Sequence, residues 1–464
     1  MANLPRLQPA AFPLALPGPL LYIGTITSAG RRPINKQAAV NPSKTSSRLL
    51  LLLYQWLWSL VLPCLRFNSR LQSGYDQRTL RTPLPAADLW IQAASVGEAY
   101  LARQLMTSLQ PCQPLTILIT TNTSQGYDIL NRTKNEAGPT LRVAVGYFPF
   151  DKPSLMHQAL SAVAPRAVVL LESELWPGLM AACKAEGVKL VVVNGRMTER
   201  SLQRYLHWPA IWRDLRPHAV LAMSPADGKR FAALFGEEIV ETMANMKFDT
   251  LQSRQPPAGA AANPLRTIVE TTEKFVVLGS VRQEEEKEVS RLLCHLCRRD
   301  PRLIIGLFPR HMHRLRHWQQ ELTARHLPWQ LRSQCRHAVP AGTIILWDTM
   351  GELTKAYDLA RSVFVGGSLA PVGGQNFLEP LSSGIRPVIG PHWRNFAWVG
   401  REIIEQGLVH EARTWQEAAA YLLEQAEQLP DRPRTTEALR LFIADRQGGT
   451  TKACRKIMRL LAAP

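Results

Sequence analysis

The sequence predicts an α/β protein built from two Rossmann-like halves in tandem, preceded by an apolar helix. Three observations carry this expectation. Continuous apolar runs of strand length alternate with helix-like segments, the alternation breaks once and restarts, and one long uncharged stretch precedes both sets. At 464 residues the chain is also too long for one ordinary core, which leaves room for two domains and a tail.

Residues 1–45, rich in proline and small residues, read as a disordered extension or a misassigned start. The run LLLLLYQWLWSLVLPCL at 49–65 has 17 residues without a formal charge, the short end of the ~17–25 that cross a bilayer. Residues 46–85 are therefore expected to form a membrane-anchor helix with a basic flank, and a long buried helix is the alternative. Tyr54, Trp56 and Trp58 suit a membrane interface, while arginines and lysines at both ends leave the orientation open. A signal peptide fits less well, because the run starts late and no small-residue cleavage site follows.

From 86 to 252 the apolar runs LWIQAAS (89–95), LTILITT (115–121), AVVLLES (167–173), KLVVVNG (189–195) and HAVLAMS (218–224) predict a parallel sheet covered on both faces. The stretch SRQPPAGAAANP then breaks every periodicity, so 253–272 reads as a linker. Strands resume over 273–464 with KFVVLGS (274–280), RLIIGLFP (302–309), GTIILWD (342–348), RSVFVGG (361–367) and RPVIG (386–390), followed by a helical tail.

Lysine and arginine outnumber acids by 55 to 37, a net charge of +18. Residues 1–85 hold ten basic side chains against Asp76, so half the excess flanks the apolar run. Such a segment attracts phosphates of anionic lipid or of nucleic acid. Without an RNA-binding motif or an aromatic platform, a nucleic-acid-binding protein is the weaker reading, and anionic membrane lipid the expected partner. Seven scattered cysteines, an odd number, point to reduced thiols. Cys294 and Cys297 form a C-x-x-C with helical spacing and no second pair, which favours a structural helix over a metal site.

In parallel sheets ligands lie beyond the carboxyl ends of the strands. Those ends here carry Ser95, Gly97 and Glu98; Glu172 and Glu174; Asn194 and Arg196; Pro309, Arg310 and His311; and residues 348–352. In GGSLAPVGGQNFLEP, at 366–380, four glycines precede an expected helix at 376–381, a pattern suited to a phosphate, with Glu379 placed to hold a ribose diol and Arg310 to supply a cation. Glu98 follows a strand and opens a helix, so it is a candidate general base; a helix-capping acid is the bland alternative. Glu172 and Glu174 are expected to share a strand face, or to be salt-bridged acids at a strand exit. No D-x-D motif precedes the site, and neither a metal nor a cofactor is expected.

The segments AASVGEAYLA, TTNTSQG, YFPFDKP, LESELWPGL, VNGRMTERS, MKFD, FPRH, DTMGEL, FVGGSLAPVGGQNFLEP and GPHWRNF occur in order between 93 and 396. Together they resemble the 3-deoxy-D-manno-octulosonic acid (Kdo) transferases of lipopolysaccharide assembly. The resemblance implies a B-type glycosyltransferase (GT-B) fold, two Rossmann-like domains facing a central cleft, anchored on the cytoplasmic face of the inner membrane. It further implies inverting transfer of Kdo from a CMP-Kdo donor to a lipid A precursor, lipid IVA. By the same resemblance Glu98 takes the general-base position, and Glu172 and Lys247 match transition-state stabilisers. Pro309, Arg310, Met350, Gly351, Glu352, Asn376, Phe377, Leu378 and Glu379 match CMP-binding positions. The sequence departs from the pattern at Arg282 and Glu284, where histidine and glycine are usual, and at Gln375 and Phe377, where histidine and proline are usual. Another GT-B enzyme using a UDP-sugar is the nearest competing reading.

Overall fold

The computed structural model describes residues 43–251, 263–270 and 273–462. The expectation for 1–45 and most of that for the linker thus lie outside the described residues. Two seven-stranded sheets organise the chain, and every strand pairing in both is parallel.

The first sheet contains β1 (Leu89–Ala93), β2 (Leu115–Thr121), β3 (Leu141–Tyr147), β4 (Ala167–Leu171), β5 (Lys189–Gly195), β6 (Ala219–Ala222) and β7 (Val240–Thr242), in the order β3-β2-β1-β4-β5-β6-β7. The second contains β8 (Phe275–Val281), β9 (Ile304–Pro309), β10 (Trp329–Leu331), β11 (Ile344–Leu346), β12 (Ser362–Val365), β13 (Val388–Ile389) and β14 (His410–Glu411), in the order β10-β11-β9-β8-β12-β13-β14. In both, the order reverses beside the first strand, between β1 and β4 and between β8 and β12. Such a reversal opens a crevice at the carboxyl ends of the two strands.

All ten apolar runs of the sequence reading contain a strand. The four strands it does not anticipate, β3, β7, β10 and β14, are the four sheet edges. Central β1 and β4 are buried along their whole length, whereas β7 and β10 are half-exposed or exposed throughout, so selection for continuous apolar side chains is relaxed there.

The two halves meet around the 3₁₀ turn Met246–Thr250. Phe248 packs edge-on to Trp398 at 5.1 Å between ring centroids. The Asp249 carboxylate accepts the backbone N–H groups of Gly448 and Thr450, both at 2.6 Å, and so caps the last helix, Gly449–Ala462. That helix follows the second sheet in sequence but returns to the first. Ala453, Ile457 and Leu461, spaced four apart, join the core that includes Ile91, Val169 and Val191. A side chain at Gly449 would meet the Ala244 carbonyl, which explains its lack of one.

Before β1, the apolar run forms the helix Ser43–Leu65. Its Ser47–Leu65 portion is long and apolar enough to cross a membrane.

Candidate active site

The reversal point of the first sheet gathers three carboxylates. After β1 the chain turns into the helix Val96–Ser108, whose N-cap is Ser95; the Ser95 hydroxyl accepts the Glu98 N–H. Glu98 in turn accepts the Ala94 N–H at 2.6 Å and the Ser95 O–H at 3.1 Å, so the capping geometry expected of a bland acid is present. Its surroundings are not bland. Glu98 is buried, and burial, then Glu174 and Glu172, push its carboxyl up to about 8 against those two hydrogen bonds. Burial and Glu172 likewise push Glu174 up to about 7.

Glu172 and Glu174 lie in the loop after β4 rather than on the strand, which ends at Leu171. They share no strand face; Glu172 instead takes a left-handed backbone with φ 54°, an unfavourable conformation for a side chain of this size. Its carboxylate accepts a 2.6 Å hydrogen bond from Lys247 Nζ. Lys247 is positioned from two sides. Buried Asn194, also left-handed at the end of β5, accepts the Met246 N–H at 3.0 Å, and Asn245 accepts the Lys247 N–H at 3.1 Å. The ammonium also lies 5.9 Å from the ring centre of Trp398 in the second half. Glu98, Glu172 and Lys247 are thus brought into one electrostatic cluster. The sequence reading noticed Glu174 without a role and missed Trp398.

In the second half the crevice is organised by a residue the sequence reading overlooked. Glu285, buried after β8, accepts backbone N–H groups from Gly367, Ser368 and Leu369 as well as from Arg282. The Gly374 and Gln375 amides bond back to the Gly367 and Gly366 carbonyls. The first part of the glycine stretch is therefore a closed turn stapled by a carboxylate, and the amides left to meet the expected phosphate are those of Gly373, Asn376 and Phe377, at the entry to the short helix. The signal for Glu285 was present in GSVRQEEE: a run of acids at a strand end, directly across the sheet reversal from glycines.

The remaining positions divide by exposure. Pro309 is the last residue of β9, and Arg310 is exposed beyond it, its backbone N–H bonded to Val281. Neighbouring His311 is held below its usual value by partial burial, then by Arg282, Arg310 and His313, against Glu284, which is itself ion-paired with Arg282. Met350 is 75% exposed, and Gly351 adopts φ 82° in an open loop. Glu352 closes that loop from inside, accepting from Trp347 at 2.9 Å, Thr349 at 2.7 Å and Arg332 at 2.9 Å. Burial works to raise its carboxyl, but these bonds outweigh it and hold the group low. Asn376 caps the Leu378 N–H and donates to exposed Glu379 at 2.9 Å, while the expected helix spans Leu378–Ser382. Phe377 and Leu378 point into the core, Phe377 against Trp393 and Phe396, so only their backbones can face a ligand. Cys294 and Cys297 sit on the helix Glu286–Arg299, with Cys297 packed on the core.

Comparison with known proteins adds an independent line. A family model described as 3-deoxy-D-manno-octulosonic-acid transferase (kdotransferase) matches residues 66–250. A 3-deoxy-D-manno-octulosonic acid transferase of Bordetella pertussis is 30% identical over 389 residues, covering 80% of this chain and 87% of its own. The Haemophilus influenzae protein of the same description is 29% identical over 351 residues, covering 74% and 80%. Among solved structures, a glycosyltransferase from Rickettsia africae ESF-5 has a TM-score of 0.53 at 12% identity, covering 82% of this chain and 100% of its own. At that identity the likeness is one of fold, the GT-B arrangement of two Rossmann-like halves.

Proposed function

This chain belongs to the Kdo transferase family and is a glycosyltransferase, and from that premise we propose that it transfers Kdo from CMP-Kdo to a lipid A precursor, lipid IVA, with inversion. Residues 86–252 form the acceptor half and 273–464 the donor half, apart from the last helix. The observation that carries the reading is the cluster of buried Glu98 with Glu174 and the Glu172–Lys247 pair at one sheet reversal, facing the chemistry from the acceptor side.

An acceptor hydroxyl attacks the anomeric carbon of Kdo while the bond from that carbon to the CMP phosphate oxygen breaks. The hydroxyl proton goes to Glu98, whose raised pKa makes its ionised form a strong base near neutral pH. Lys247, held on Glu172, supplies fixed positive charge beside the reacting centre. On the donor side, where Glu285 takes the Gly367, Ser368 and Leu369 amides, Arg310 and His311 meet the phosphate beside the helix entry at Asn376, and Glu379 accepts from the ribose diol. The Ser43–Leu65 helix holds the enzyme at the cytoplasmic face of the inner membrane.

Donor competition tests this reading. CMP should protect the protein against thermal unfolding and inhibit transfer, with UDP doing neither. Protection by UDP and not by CMP would move the chain to a different donor class.

A further inference from the structure

We propose that the helix Ser43–Leu65 does not cross the bilayer but lies within its interface, clamped along one side by the catalytic body and presenting the other side to anionic lipid. The inference rests on the reading that this helix meets a membrane, and goes beyond it in saying how.

From Leu49 on the helix carries no charge, and its two sides have different fates. Leu50 and Leu51 pack against the core of the first half that includes Ile211 and Trp212, and Tyr54, Trp58, Leu62 and Leu65 pack around Leu71 and Phe150. On the other side Leu49, Leu52, Leu53, Trp56, Leu57 and Leu60 are exposed. Of the three aromatics that the sequence assigned to an interface, Trp56 faces outward at 68% exposure and Trp58 is buried at 6%. An interfacial helix ordinarily offers one apolar face to lipid and one polar face to water. Here the protein body takes the place of the water.

The contacts at the helix midpoint decide against a span. The Tyr54 hydroxyl donates to Asp151 at 3.0 Å, and Asp151 accepts the Gly178 and Leu179 N–H groups at 2.8 Å each. Gln55 donates to the Ser154 hydroxyl and accepts the Ser154 N–H, both at 3.0 Å. A 23-residue helix is about 34 Å long, close to the ~30 Å of bilayer hydrocarbon. If it spanned, residues 54 and 55 would lie near the bilayer centre and carry Asp151 and the exposed Gln55–Ser154 contact there, where polar backbone and carboxylates are costly. Lying in the interface, the helix keeps these bonds and buries its outer leucines.

Charge agrees with an anionic surface. The helix contains no acidic residue, and Arg48 and Arg66 are exposed at its two ends. The helix Pro209–Asp214, which packs beside it, is preceded by exposed Trp208 and carries exposed Arg213.

The test uses the full chain with Arg48→Cys in inside-out inner-membrane vesicles, treated with a membrane-impermeant maleimide and read by peptide mass spectrometry. Native Cys112, exposed on the catalytic body, is the reference for the outer side. Position 48 should label to the same extent as Cys112 without detergent. Protection of position 48 until detergent is added, with Cys112 labelled throughout, means a span and overturns the placement. In parallel, Leu53→Glu with Leu60→Glu should weaken binding to phosphatidylglycerol vesicles at least tenfold while CMP binding is kept; undiminished vesicle binding also overturns it. A parent chain that binds neither membrane overturns the underlying membrane reading, a result distinct from both.

Discussion

Replacing Glu98 with glutamine preserves size and part of the hydrogen bonding to Ala94 and Ser95 but removes the proton acceptor. If Glu98 is the base, turnover should fall by roughly 10² to 10⁴, about 3–5 kcal/mol of barrier, with CMP affinity intact. Stability should move the other way. The folded carboxyl is pushed from its ordinary 4.5 up to about 8, so the folded state favours the protonated form. That contribution is fully present below 4.5 and is lost as pH rises through about 8, at roughly 1.4 kcal/mol per pH unit. At pH 7 the folded carboxyl therefore stays mostly protonated while the unfolded one ionises, a cost to the parent on the order of 3 kcal/mol that glutamine does not carry. Glu98→Gln should melt higher than the parent at pH 7, with a gap that widens to about pH 8 and closes towards pH 4.5. Transfer rate, CMP affinity and melting temperature between pH 5 and 9 on the same variant give the answer. A variant with near-parental turnover and a lower melting temperature would reduce Glu98 to a helix cap and refute the assignment.

Glu172→Gln removes one of the negative charges that raise Glu98, so the pH–rate profile should shift to lower pH while turnover drops; an unmoved profile would separate Glu172 from the cluster. Arg310→Ala and Glu379→Ala should each reduce CMP protection against thermal unfolding by about 1–3 kcal/mol, and parental CMP affinity in both would refute the donor-site map. Glu285→Ala leaves buried amides unpaired, and calorimetry should show a loss of about 3–5 kcal/mol together with weakened CMP binding. A parental melting temperature would show that the glycine turn holds itself.

The two-sheet architecture was legible because central parallel strands must be apolar on both faces, and each left a continuous run in the sequence. Edge strands such as His410–Glu411 carry no such run, since one side of their ladder faces away from the sheet. At the site, Glu98 was legible from its place after β1. The partnership of Glu172 with Lys247 is not a matter of sequence spacing, because it depends on Asn194 turning the chain at β5 and on a 3₁₀ turn 75 residues away from Glu172. The glycine loop was found, but the internal carboxylate that takes the amides of Gly367, Ser368 and Leu369 was not. An internal carboxylate and a bound phosphate make the same demand on backbone N–H groups, and only the three-dimensional neighbourhood of Glu285 tells them apart.

The most direct measurement is mass spectrometry of a tetraacylated lipid A precursor after incubation with the enzyme and CMP-Kdo, with nucleotide release followed in the same reaction. The account predicts Kdo-bearing product and a matching amount of CMP, both lost in Glu98→Gln. Unmodified acceptor beside an enzyme that binds CMP-Kdo and lipid, or product formed undiminished by Glu98→Gln, would contradict it.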